Sequence, residues 1–230
     1  LAIDPVLASA STPSLILAIW AAGIAGGGAI VAWWRIVGPG YGWLTASVAV
    51  FFGGFAVLAG AGPGAVVGTV FALAAVPAAR SGKVSAVLLG AAAAAFLYAG
   101  LDEGVRAVTG ALALGGVTTM MLLGHWYLVD PRLPRRPLFR LGTAGLTGTV
   151  LDAGLLAASG ALGWEGADWV LGWSFIALAI ATAVLLVAAL LATRQPRYSG
   201  VMAATGLSYL AILTSVGAVV LGRILLNGSG

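Results

Sequence analysis

The sequence predicts an all-α, polytopic integral membrane protein, a bundle of about eight membrane-spanning helices. Three observations predict it. Of 230 residues, 61% are hydrophobic and only 8% are charged, and the mean hydropathy is +1.08. A soluble domain carries about 25% charged residues, so this chain has too little polar surface to cover a water-soluble globule. Glycine is frequent, with 35 residues, which suits closely packed membrane helices. Finally, apolar runs of about the length needed to cross a hydrocarbon core follow one another with only short polar links. The same figures exclude intrinsic disorder.

Eight runs are expected, at 14–37, 43–60, 64–79, 84–101, 107–129, 141–160, 169–193 and 200–226, forming one transmembrane domain. The first carries Gly23, Gly26, Gly27 and Gly28 and stops at Trp33, Trp34 and Arg35, before the breaker Gly38-Pro39-Gly40. Three glycines in succession mark a candidate bend or a place where a bulky flat ligand lies close. The second and third runs are divided by the turn Gly60-Ala61-Gly62-Pro63-Gly64, and Pro77 should end or kink the third. The third is short enough for a re-entrant segment. Arg80 to Lys83 link it to the fourth, which contains Ala91 to Ala95. Asp102, Glu103 and Arg106 precede the fifth run. The link from Asp130 to Pro137 holds three arginines and three prolines, an extended and strongly basic loop. Glu165 and Asp168 precede the seventh run, and Arg194 to Arg197 precede the eighth. Residues 1–13 lack the basic n-region of a secretory leader.

Charge fixes the expected orientation. With eight crossings, Arg35, Arg80, Lys83, Arg132, Arg135, Arg136, Arg140, Arg194 and Arg197 share one side. The other side receives Asp4, Asp102, Glu103, Glu165 and Asp168, with Arg106 and Arg223. The positive-inside bias then places the basic loops in the cytoplasm and both termini outside, as in a bacterial inner membrane. It also accounts for the net charge of +4 without a nucleic-acid partner, which would need a dense basic face. An internal echo supports a 4+4 parallel repeat. Ala32-Trp33-Trp34-Arg35-Ile36-Val37-Gly38-Pro39 aligns without gaps onto Gly124-His125-Trp126-Tyr127-Leu128-Val129-Asp130-Pro131, and parallel repeats recur in membrane proteins.

Asp152 is the sharpest chemical feature. Eleven residues into the sixth run, it is expected near the bilayer midplane, where an ionised carboxylate costs about 2.5–3.5 kcal/mol on insertion scales. No basic partner is expected at its depth, so it reads either as a proton, cation or substrate site or as a neutral, hydrogen-bonded joint between helices. His125, the one histidine, is a candidate single ligand for a haem or chlorin, with Met120, Met121 or Met202 as second ligand, a quinone hydrogen-bond donor, or a proton relay. The bland alternative is an interfacial histidine bonded to a backbone carbonyl. Helical spacing puts Thr118, Leu122 and His125 on one face of the fifth run. It does the same for Gly145, Gly148, Thr149 and Asp152 on the sixth, and for Thr205, Ser208, Ile212 and Ser215 on the eighth. A polar cavity is therefore expected between helices five, six and eight, lined by Asp152, His125, Thr118, Thr149 and Ser208.

Trp33, Trp34, Trp126 and Tyr127 read as an interfacial aromatic belt. Arg132, Arg135, Arg136 and Arg140 read as topology determinants that also suit anionic lipid headgroups or an acidic partner. Gly60, Gly64 and Gly68, and the pair Gly23 and Gly27, read as packing surfaces. Several chemistries fall away. With no cysteine and one histidine, a zinc centre has no ligand set. Ser81 and Ser159 stand beside glycines but in no nucleophile frame, and no phosphate-binding GxxxxGK[ST] motif is present. Two functions remain from the residues. One is a non-catalytic membrane subunit or binding module, in a larger bioenergetic assembly, holding a haem, chlorin, quinone or lipid. The other is a small proton- or cation-coupled carrier working through Asp152.

Overall fold

The computed structural model describes residues 12–130, 132–162 and 169–228. Among them are eight α-helices: α1 (Thr12–Trp34), α2 (Pro39–Leu58), α3 (Pro63–Ala78), α4 (Gly82–Tyr98), α5 (Val105–Val129), α6 (Arg136–Ala158), α7 (Trp169–Arg194) and α8 (Tyr198–Gly228). Six of these, α1, α2, α5, α6, α7 and α8, are long and apolar enough to cross a membrane. The protein is a helical membrane protein. At 1.5 Å per residue, α3 and α4 reach only about 24–26 Å, against a hydrocarbon core of about 30 Å.

The helices fall into two compact units, residues 1–107 and 108–230. In the first, α1 packs on α2 and α4, and α3 packs on α2 and α4, which closes a four-helix ring. Small residues allow the close approach. A Cβ on Gly28 would lie 3.0 Å from the Thr45 side chain and 3.3 Å from Leu89. The buried Phe96 ring of α4 lies against both Gly53 and Gly68, where an added Cβ would come within 2.5 Å and 2.7 Å of ring carbons. Gly64 meets the Ala95 carbonyl in the same way, at 2.7 Å. Gly64 and Gly68 are thus packing positions, and Gly60 is a turn residue with φ +91°. Gly26–Gly28 do not interrupt the helix. α1 runs through them unbroken, because Gly28 is held between α2 and α4 rather than left open. α3 stops one residue past Pro77, which cannot donate to the carbonyl four residues back and so breaks the ladder there.

In the second unit, α7 packs along α8 and α6 packs against α7. α5 meets α6 backbone to backbone. Gly116 of α5 faces Gly145 of α6, Gly148 faces Ala113, and a Cβ on Gly145 would lie 3.0 Å from Val117. Below this crossing, Leu156, Phe175, Ala179, Ala218 and Leu225 form an apolar cluster with Ala161 and Leu162. Sequence reasoning placed the start of the sixth span at 141. The helix begins at Arg136, with Pro137 in its first turn, where a missing N–H costs nothing. That shift moves Asp152 away from the middle of its helix.

Candidate functional site

Asp152 lies six residues before the C-terminal end of α6, and Arg223 five residues before the C-terminal end of α8. These helices run parallel, so the two side chains share one level. Arg223 Nη1 donates to Asp152 Oδ2 at 2.6 Å. Thr109, one turn into α5, donates its hydroxyl to the other carboxylate oxygen, Oδ1, at 2.8 Å. Asp152 is 3% exposed and Arg223 1%. The expectation that Asp152 has no basic partner is therefore corrected. It rested on assigning Arg223 to the outer rim and Asp152 to mid-membrane. In the structure the two side chains lie six and five residues before the C-terminal ends of parallel helices, and so meet.

A cavity of about 10 Å³ adjoins the carboxylate, lined by Thr149, Asp152, Phe175 and Ser215 among others. That is room for about one water. Ser215 is buried and its hydroxyl has no hydrogen-bond partner. Thr149 bonds its own helix at the Gly145 carbonyl. The sequence stripes on α6 and α8 thus do converge, but on Asp152, Thr149 and Ser215.

His125, Thr118 and Ser208 are not part of that cluster. Thr118 donates to the Leu114 carbonyl at 2.6 Å and Ser208 to the Thr205 carbonyl at 2.6 Å, each within its own helix. His125 Nδ1–H donates to the Met121 carbonyl at 3.1 Å, one turn back. Its other nitrogen, Nε2, accepts from the Tyr209 hydroxyl of α8 at 2.6 Å in the neutral ring, and the two rings meet edge to face. Tyr209 is 46% exposed on the surface of this unit. Fourteen residues of α8 separate Tyr209 from Arg223, about 21 Å at the helical rise. His125 and Asp152 are therefore two separate polar sites, as their depths in the sequence implied. Nothing in the sequence pattern of α5 alone pointed to Tyr209.

The aromatic residues divide. Trp33 is exposed, while Trp34 and Trp126 are half-buried. Tyr127 lies inside the helical packing rather than in a belt, fully buried, with its hydroxyl donated to the Pro134 carbonyl. It ties the end of α5 to the basic loop.

The arginines divide too. Arg135 reaches across to the C-terminal end of α7. Its guanidinium donates to the carbonyls of Gln195, Pro196 at 2.8 Å and Arg197 at 3.2 Å in the link between α7 and α8, and lies 3.5 Å from the Thr193 carbonyl, one of the last of α7. Arg135, Arg136, Arg140 and Arg194 line a cleft of about 240 Å³ with Phe139 and Thr193, and Arg194 stacks over Phe139 at 5.2 Å. Arg132 lies outside that cleft, and its backbone N–H donates to the Asp130 carboxylate at 3.0 Å. Glu165 and Asp168 lie outside the described residues. No protein-family model, curated protein or solved structure matches the chain, so its function is argued from its own residues.

Proposed function

We propose that the chain is a non-catalytic integral membrane module, a subunit or binding component, whose ligand is an apolar molecule with a polar head. A quinone or a lipid fits, met at the His125–Tyr209 pair rather than in a closed chamber between α5, α6 and α8. One observation carries this reading: Asp152, Arg223 and Thr109 satisfy one another. The adjoining cavity of about 10 Å³ is far below the roughly 300–1,000 Å³ of a ligand pocket. His125, by contrast, stands beside an exposed tyrosine, where a carbonyl head from the bilayer could take the hydroxyl's hydrogen bond. Tyr209 covers Nε2, which disfavours axial ligation of a haem or chlorin.

The remaining parts of the reading belong with it. Eight crossings, with α3 and α4 spanning through local thinning of the bilayer, keep all nine basic residues of the sequence split on the cytoplasmic side. The sequence echo then falls at the C-terminal ends of α1 and α5, the first helix of each four-helix group, which supports a parallel 4+4 repeat. The cleft of Arg135, Arg136, Arg140 and Arg194 suits an anionic headgroup of the inner leaflet.

The test is purification in mild detergent followed by an absorption spectrum and mass spectrometry of extracted small molecules. The reading expects a colourless protein carrying a quinone or phospholipid that is depleted in His125→Ala and Tyr209→Phe. A Soret or chlorin band that vanishes in His125→Ala would replace it with pigment ligation. A second reading, a proton- or cation-coupled carrier, is favoured by the unpartnered Ser215 hydroxyl beside Asp152. It requires flux in proteoliposomes that Asp152→Asn abolishes.

A further inference from the structure

A second polar cavity lies wholly within the first unit, where α1 and α3 end and α2 and α4 begin. Its volume is about 200 Å³, and its walls include Arg35, Arg80, Gly38, Pro39, Gly82 and Ser85. Among the described residues, no carboxylate lines it. Four features converge there. The first is two guanidinium groups, both on exposed residues at the rim. Arg80 is steadied over the Trp43 ring at 5.9 Å. Arg35 closes α1 in the left-handed region, with φ 52°, a position helices usually give to glycine. Its side chain lies along the start of α4, where a Cβ on Gly82 would stand 3.8 Å from Arg35 Nε.

The second and third features are the N-termini of α2 and α4. Neither has a side-chain cap, and Gly38 and Ser81 stand at the two N-cap positions. Uncapped N-terminal amides carry partial positive charge and point outward along the helix axis. The fourth is decisive. Ser85, one turn into α4, is fully buried and its hydroxyl has no hydrogen-bond partner, while the residue is part of this cavity's wall. A buried hydroxyl left without a partner costs free energy, and a ligand oxygen in the cavity would remove that cost. The C-terminal ends of α1 and α3 lie at the same place and offset the two helix N-termini. The positive charge therefore rests on the two guanidinium groups. With an idle hydroxyl and no acid among the described lining residues, that composition suits an oxyanion.

We propose that this cavity binds a phosphate group, held by Arg35 and Arg80 at its mouth and by the Ser85 hydroxyl at its floor. The phosphate is the head of an anionic phospholipid or a free phosphate from solution. The volume admits either. The site does not involve His125, Tyr209 or Asp152, so it stands or falls apart from the function proposed above.

The test uses the full chain. In detergent, inorganic phosphate is titrated against thermal unfolding. In parallel, the protein is reconstituted in nanodiscs of phosphatidylcholine with or without phosphatidylglycerol, and retained lipid is read by native mass spectrometry. Ser85→Ala keeps the fold, since it removes an unpartnered polar atom, and should weaken binding about three- to tenfold. Arg35→Gln should weaken it more, by tenfold or beyond. Lys83→Gln, one residue past Gly82 and not in the cavity wall, is the charge control. Saturable stabilisation by inorganic phosphate, shifted to higher concentration in Ser85→Ala and further in Arg35→Gln but unchanged in Lys83→Gln, assigns the site to free phosphate. Phosphatidylglycerol retained by wild type and Lys83→Gln but shed by those two variants, without a response to inorganic phosphate, assigns it to lipid. Binding that is absent in both arms, or equal in wild type, Ser85→Ala and Arg35→Gln, overturns the proposal.

Discussion

Asp152 and Arg223 stand 71 residues apart in the chain and 2.6 Å apart in space, both almost fully buried. Each would be costly alone in an apolar surround. Together, and with Thr109 on the second carboxylate oxygen, they hold α5, α6 and α8 at one level. Removing one partner of a buried pair leaves an uncompensated charge, a loss of about 3–5 kcal/mol in proteins where it has been isolated. Arg223→Ala should therefore lower the thermal midpoint in detergent far more than Thr109→Val. The latter removes one interhelical hydrogen bond, worth about 0.6 kcal/mol on average. Circular dichroism melts of the two variants check the order.

Phe96 is the keystone of the first unit, seated on Gly53 and Gly68. Phe96→Ala should destabilise this unit by about 3–5 kcal/mol through the cavity it opens. Gly68→Leu should do comparable damage by overpacking, because the ring and the α3 backbone are already in contact. Hydrogen exchange resolved by peptide should show the loss in residues 39–98 for both variants.

The guanidinium of Arg135 caps the α7–α8 connection through the carbonyls of Gln195, Pro196 and Arg197. Arg135→Gln should loosen that turn, and limited trypsin cleavage at Arg194 and Arg197 should speed up severalfold. Arg132→Gln should leave the rate unchanged.

The chain has no cysteine, so single cysteines report sidedness cleanly. With eight crossings, Ser81→Cys and Arg132→Cys should react with a membrane-impermeant maleimide only from the cytoplasmic side. Leu101→Cys and Ser159→Cys should react only from the opposite side. If α3 and α4 together fail to cross, Ser81→Cys changes sides while the others do not.

Much of this architecture was legible in the residues. Composition and run length gave the membrane helices, and Gly-Pro and Pro-rich links gave their breaks to within a few residues. Of the polar stripes on α6 and α8, Thr149, Asp152 and Ser215 line one small cavity, while Ser208 bonds its own helix. What the sequence concealed was depth. Arg136 and Arg140 look like loop residues, yet they form the first turns of α6, because arginine stems can run along apolar surface while their heads reach water. That misplaced the helix start by five residues and hid the Asp152–Arg223 pair, which depends on matching heights on two helices. His125 and Tyr209 were hidden for a related reason. Their pairing depends on which way α8 turns, and the stripe of Thr205, Ser208, Ile212 and Ser215 left Tyr209 out.

The central claim is that Asp152 serves structure through Arg223 and carries no traffic. A double-substitution cycle in reconstituted vesicles tests it most directly, reading unfolding and ion flux for Asp152→Asn, Arg223→Gln and the pair together. The account predicts that each single change destabilises strongly, that the pair together is markedly less harmful than the sum, and that no flux is lost. Additive destabilisation, or a proton or cation flux in the wild type that disappears in a still-folded Asp152→Asn, would contradict it.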